Sequence, residues 1–152
     1  MEKIIPMLGP MLEGANVTLQ MFFITLLLSL PLGLLLALAR MSKYKPLSLL
    51  VETYIWLMRG TPLMLQLLFV YYALPLIPYI GITLSDSSAA IVAFVCNYAA
   101  YFAEIFRGGI QSIERGQYEA SKVLGMTYVQ TMRRIILPQM IAGVSRDKAA
   151  TR

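Results

Sequence analysis

Three polar side chains, Asn97, Tyr101 and Glu104, interrupt an otherwise apolar run at steps of four and three, which places them on one face of a helix. In lipid an acid at the centre of a span costs about 2.5–3.5 kcal/mol to insert, so such a face turns to a cavity or a partner. Asn97 lies deepest and is expected to line a path for a polar solute. Tyr101 and Glu104 extend the same stripe. Glu104 lies near the end of the run, three residues before Arg107, so an ion pair at the interface is an alternative role for it. Chemistry of the bond-breaking kind is not expected. The chain has no histidine, so the usual general base and metal ligand is missing, and its one cysteine, Cys96, sits in an apolar run. No G-x-x-x-x-G-K-[ST] phosphate loop occurs, so no nucleotide cofactor belongs to this chain. An enzyme of common type and a metal site are both excluded as expectations.

The elements that must carry these side chains are membrane spans. Of 152 residues 58% are hydrophobic and only 14% charged, beyond what a soluble domain shows. The net charge of +5 does not point to nucleic acid, because the basic residues cluster in loops between apolar runs, where they set orientation. The N-terminus lacks the layout of a cleaved signal peptide, so the first span is expected to be an uncleaved anchor. Met1 to Gln20 reads as a short amphipathic or irregular lead-in, with Asn16 or Thr18 able to cap the helix after it. Residues 18–39 form the first span, about 22 residues and roughly 33 Å long. Pro31 should kink it, with Thr25 and Ser29 available to the freed backbone groups.

Arg40, Lys43 and Lys45 mark a cytosolic loop by the positive-inside rule. Residues 46–80 are expected to form one long second helix, because the part before Arg59 is only about 13 residues and too short to cross alone. Glu52 and Arg59 lie two turns apart, so they can pair only through neighbouring helices or long side chains. Gly60 and Pro62 permit a bend while Arg59 snorkels to the headgroups. Tyr71, Tyr72 and Tyr79, with Pro75 and Pro78, close the segment as an interfacial belt. The next loop, 81–87, holds Asp86 and no basic residue, and is expected outside, with Ser85 or Asp86 capping the third span at 87–106. In that span Ala89, Ala93, Cys96, Ala100 and Ala103 form a small-residue stripe suited to close helix packing. Arg107, Arg115, Lys122, Arg133 and Arg134 return the chain to the cytosol, with the N-terminus outside. The fold class is all-α: a polytopic membrane protein of one domain over 1–152, with three transmembrane helices, a cytosolic two-helix loop over 107–138 and an atypical tail over 142–152. The last apolar run, Ile135 to Val144, is too short to span.

Within the loop, Met126, Val129, Met132 and Ile136 recur at helical spacing, and Gly125 separates this helix from a shorter one over 117–124. A basic amphipathic helix lying on the membrane surface is the alternative, which Arg133 and Arg134 also suit.

Glu119-Ala120-Ser121, Leu124-Gly125 and Ile136-Leu137-Pro138 resemble the EAA loop of the membrane subunits of ABC-type importers, with Ser121 where alanine is usual. Arg59-Gly60-Thr61-Pro62 and the run from Ala103 to Ile113 are similar to the polar amino acid permease branch of that family. The resemblance extends from about Asn16 to about Ile141. It implies a permease subunit in a bacterial inner membrane, forming the translocation path of an ATP-driven importer of polar amino acids. It further implies docking of the EAA loop on a separate ATPase that binds the ATP, a second permease subunit as a homo- or heterodimer, and an extracytoplasmic solute-binding protein. Family members have five spans and this sequence carries three, so the alternative expectation is a truncated, transport-inactive remnant that only binds partner subunits. A third reading is a small surface-active membrane protein.

Overall fold

The computed structural model describes residues 5–78 and 81–142, and among these the regular elements are all helical. Tyr79 of the expected aromatic belt, and nearly all of the tail expected at 142–152, lie outside the described residues. The chain divides into two compact units, one ending at Glu104 and one beginning at Ile105.

In the first unit, α1 runs from Ile5 to Arg40 as one helix of 36 residues. The lead-in, expected as a short amphipathic or irregular stretch, is continuous with the first span as one helix from Ile5, and Asn16 and Thr18 are interior positions instead of caps. Thr18 Oγ1 donates to the Gly14 carbonyl at 2.8 Å, which keeps its hydroxyl satisfied within the helix. The helix passes through Pro10 and Pro31. Near Pro31, Ser29 is fully buried and its hydroxyl reaches the Leu26 carbonyl at 3.5 Å, whereas the buried Thr25 hydroxyl has no hydrogen-bond partner.

Helix α2, Lys45–Gly60, starts with a proline in its first turn, where the missing N–H costs no hydrogen bond. Ser48 Oγ donates to the Arg40 carbonyl at 2.6 Å and so occupies one of the acceptors left open at the end of α1. The second span is not one long helix. It breaks after Gly60, and the segment Leu63–Leu76 leaves α2 at 108°. The cause is Pro62: it removes an N–H and forces Thr61 into an extended conformation (φ −114°, ψ 143°) that no α-helix accommodates. Beyond the break, α3 covers Leu63–Leu68 and passes into a π turn at Phe69–Ala73 and a 3₁₀ turn at Leu74–Leu76. Tyr71 and Tyr72 stack edge to face there, ring centroids 4.7 Å apart.

Helix α4, Asp86–Gln111, begins where expected, with Ser85 Oγ accepting from the Ser88 N–H. The small-residue stripe is the packing face: Ala89, Ala93, Ala100 and Ala103 are essentially inaccessible, and Ala100 and Ala103 meet Val51 and Ile55 of α2. Against α1 the approach is close at Gly33. A Cβ built on Gly33 would stand 2.6 Å from Phe102 Cβ and 3.1 Å from the Ala99 carbonyl oxygen. By length and composition α1 and α4 each suffice to cross a membrane, and the bent pair supplies a third crossing if it is one span.

In the second unit, α5 covers Arg115–Val123 and α6 covers Tyr128–Thr131, followed by a π turn at Met132–Ile136 and a helical end over 137–142. Its buried side chains are Ile110, Ser121, Thr131, Met132, Ile136 and Met140. Met132, Ile136 and Met140 fall on one face, but Val129, expected with them, is 70% exposed. The π turn is the reason: it winds through more residues per turn than an α-helix and so rotates Ile136 and Met140 relative to α6.

Candidate functional site

The first unit carries a chain of charges that joins three helices. Arg40 Nη1 of α1 meets Glu52 Oε2 of α2 at 2.8 Å, Arg40 Nε approaches Glu104 Oε1 of α4 at 3.6 Å, and Arg59 Nη1 at the end of α2 lies 3.7 Å from Glu104 Oε2. Glu52 and Arg59 each find a partner on a neighbouring helix, Arg40 and Glu104 respectively. The Arg59 guanidinium also sits 5.5 Å from the centre of the Tyr101 ring, in cation–π range. These groups, with Trp56, line an open cleft of about 410 Å³. Sequence spacing suggested Arg107 as the partner of Glu104; its bridges to Arg40 and Arg59 come from helices distant in the chain, which no local pattern reveals. The cluster is partly hydrated, with Glu52 53% and Arg59 44% exposed at the side chain, so each pair contributes modestly to stability. Its capacity is for placing both signs of charge beside aromatic rings.

One turn deeper than Tyr101, Asn97 is 5% exposed. Its amide nitrogen donates to the Met58 carbonyl at 3.1 Å and to Gln66 Oε1 at 3.0 Å. In the sequence Gln66 stands out only as an interruption of the apolar run 46–80, with Glu52 and Arg59, although a lone amide in a run of leucines is the sort of costly group that marks a site in lipid. Tyr54 also joins α2 to α4, its hydroxyl donating to the Cys96 carbonyl at 2.6 Å. Of the four residues in the Arg59-Gly60-Thr61-Pro62 motif, Arg59 belongs to the charge chain, while Gly60, Thr61 and Pro62 make the break; Thr61 Oγ1 donates to the Leu57 carbonyl at 2.8 Å.

In the second unit the loop residues form a self-terminated pair of helices. Gly125 takes φ +69°, and around it the Met126 N–H bonds the Ser121 carbonyl while the Gly125 N–H bonds the Lys122 carbonyl, both at 3.0 Å. This is a Schellman stop. Two residues later Thr127 and Gln130 close a capping box: the Gln130 N–H donates to Thr127 Oγ1 and the Thr127 N–H to Gln130 Oε1. The T-x-x-Q spacing is a sequence signal for that box, one that sorting the residues by polarity alone does not reveal. Ser121 is buried and its hydroxyl bonds the Tyr118 carbonyl; Ile136 is fully buried. Glu119, Ala120, Leu124, Gly125 and Pro138 are exposed. Around them Val123 is 88% and Leu124 74% exposed, with Tyr128 and Val129 also outward. Single apolar residues on a surface are ordinary, but four clustered at one turn form a patch suited to a partner. Beneath it, the Tyr118 hydroxyl donates to the Ile110 carbonyl at 3.1 Å, and burial, then the neighbouring Tyr128, push its phenol above the ordinary value.

The sequence pattern of a family described as the binding-protein-dependent transport system inner membrane component matches residues 29–145. A probable amino-acid ABC transporter permease protein, YckA of Bacillus subtilis strain 168, is 45% identical over 130 residues, covering 86% of this chain and 56% of the relative. The arginine transport system permease protein ArtQ of the same organism is 38% identical over 141 residues, covering 93% and 64%. A crystal structure of an amino acid ABC transporter with histidines is similar at a TM-score of 0.71 and 37% identity, over 87% of this chain and 64% of the solved one. The chain thus spans between about half and two thirds of the length of the proteins it matches.

Proposed function

Because the chain belongs to the family of binding-protein-dependent transport system inner membrane components, we propose that it is the membrane-spanning permease subunit of an ATP-driven importer of polar amino acids. The observation that carries this is the similarity to relatives named as amino-acid and arginine permeases, and it is supported by a loop that closes on Gly125 and exposes apolar side chains beside the turn. The patch of Val123, Leu124, Tyr128 and Val129 would receive a separate ATPase, with Glu119 offering it a negative charge and Gly125 fixing the turn. The solute path would follow the α4 face of Tyr101 and Glu104, with Asn97 of the same face engaged by Met58 and Gln66, enclosed by a second permease subunit and supplied by a solute-binding protein outside. ATP-driven closure of the ATPase would move the loop and switch the spans between inward and outward access.

Reconstitution with ATPase and binding protein in lipid vesicles, followed by uptake of a panel of labelled amino acids, tests the proposal. ATP-dependent accumulation of at least one polar amino acid is the expected result. Failure of every amino acid to accumulate, with no ATPase retained on the purified subunit, would remove it.

The bent pair α2–α3 acts in this proposal as one broken span and not as a re-entrant loop. A re-entrant pair would return residues 81–87, which lack Lys and Arg, to the side of Arg40, Lys43 and Lys45, and would put Arg107, Arg115 and Lys122 outside, against the positive-inside bias. With Cys96 replaced, a cysteine at Ser87 should therefore react with an impermeant thiol reagent added from outside, and one at Ser42 should be protected. Labelling of Ser42 would reverse the orientation; protection of both would favour re-entry.

A further inference from the structure

We propose that Gln66 and Asn97 form an amide lock that takes the place of the N–H group missing at Pro62 and sets the angle of the broken span, so that both are positioning residues of the permease.

In an α-helix the carbonyl of residue 58 accepts from the N–H of residue 62. Residue 62 is proline, so the Met58 carbonyl has no backbone donor and needs a donor from a side chain or water. Two side-chain amides converge on that oxygen: Gln66 Nε2 at 2.9 Å and Asn97 Nδ2 at 3.1 Å. Gln66 Nε2 also reaches the Thr61 carbonyl at 3.2 Å and Thr61 Oγ1 at 2.8 Å, which covers the extended residue that makes the break. Asn97 Nδ2 bonds Gln66 Oε1 at 3.0 Å and so couples the two amides.

Chemistry permits one orientation of each amide. A carbonyl oxygen can only accept, so both residues must turn their NH₂ groups toward Met58, and Gln66 must then turn its oxygen toward Asn97. With both hydrogens of each NH₂ engaged, neither side chain has a donor left for a passing solute. Gln66 spans the break from α3, and Asn97 ties it to α4. Straightening or further folding of the span must give up bonds to a carbonyl that has no other donor, which makes a defined angle cheaper than a continuum of angles.

The test is a distance measurement on the full chain in lipid nanodiscs, with Cys96→Ala and spin labels at positions 50 and 72, exposed sites on either side of the break. The unaltered lock should give one narrow distribution, well short of the ~33 Å that a straight helix would place between the labels. Gln66→Met and Asn97→Leu should each broaden it, raising the population of other angles roughly tenfold per amide lost. Adding Pro62→Ala to either variant supplies the missing N–H and should move the distribution toward the straight-helix value. General destabilisation would lower the folded yield without that shift. Distributions in Gln66→Met and Asn97→Leu that superimpose on the unaltered protein would overturn the lock, and Gln66→Met alone decides the matter if the Asn97 variant does not insert.

A second arm rests on the importer reading. In the assembled transporter both variants should lower turnover with KM unchanged, whereas a raised KM for Asn97→Leu alone would make Asn97 a solute contact and overturn its positioning role. If no uptake occurs even without substitution, the importer reading fails and the distance arm still stands.

Discussion

Under the importer proposal, valine at position 125 should reduce ATP-coupled uptake by the assembled transporter at least about tenfold while leaving insertion into the membrane unchanged. Gly125 stands at φ +69°, where an ordinary side chain costs roughly 1–2 kcal/mol and a β-branched one more. Relief of that strain must break the bonds from the Gly125 and Met126 N–H groups to Lys122 and Ser121. Once they break, α5 has no defined end and the patch of Val123, Leu124, Tyr128 and Val129 loses its shape. Asparagine tolerates this conformation better, so Gly125→Asn should retain more uptake than Gly125→Val. Glu119→Lys changes charge on the exposed face without disturbing the turn, and should weaken ATPase retention instead of loop structure. Uptake by Gly125→Val at the unsubstituted rate would show that the turn is not part of the coupling.

The second large effect is expected at Gly33. A leucine there must displace Phe102, the Ala99 carbonyl and the Ala103 nitrogen, two of them α4 backbone, so α1 and α4 must separate. Overpacking of this kind costs about 1–3 kcal/mol and more when backbone has to move. Gly9→Leu and Gly14→Leu are the controls, because a Cβ at either position meets nothing within 4 Å. Equilibrium unfolding in mixed micelles, followed by the fluorescence of Trp56, the one tryptophan, should show the loss in Gly33→Leu and little change in the controls. Equal effects at all three positions would mean that the α1–α4 contact is not specific.

What could be read from the sequence was what depends on neighbours along the chain. The all-α membrane class followed from apolar length, the stripe from Ala89 to Ala103 from helical period, the start of α4 from Ser85, and the bend at Gly125 from the freedom of glycine. Pro62 announced an interruption but not its size. The 108° angle coincides with side-chain amides that arrive from Gln66 and Asn97, and the second of these is 39 residues from its acceptor. The charge chain was hidden for the same reason: Glu104 had a plausible neighbour in Arg107, while Arg40 and Arg59 come from helices made earlier. Val129 was misplaced because a π turn changes the residues per turn without a compositional mark.

The bond from the Tyr54 hydroxyl to the Cys96 carbonyl sets a schedule for biogenesis. Its two ends are 42 residues apart, and a ribosome adding about 5–20 residues per second delivers the acceptor some 2–8 seconds after the donor. Arg59 waits as well, since Glu104 is made later still. During that interval α2 is in or near the bilayer with a phenol and a guanidinium that have not met their α4 partners, while Gln66, only eight residues from Met58, can cover that carbonyl almost at once. An unpaired phenol is costly in lipid, so release of the second span becomes more favourable once α4 emerges, and joint release of α2 and α4 is the expected order of insertion.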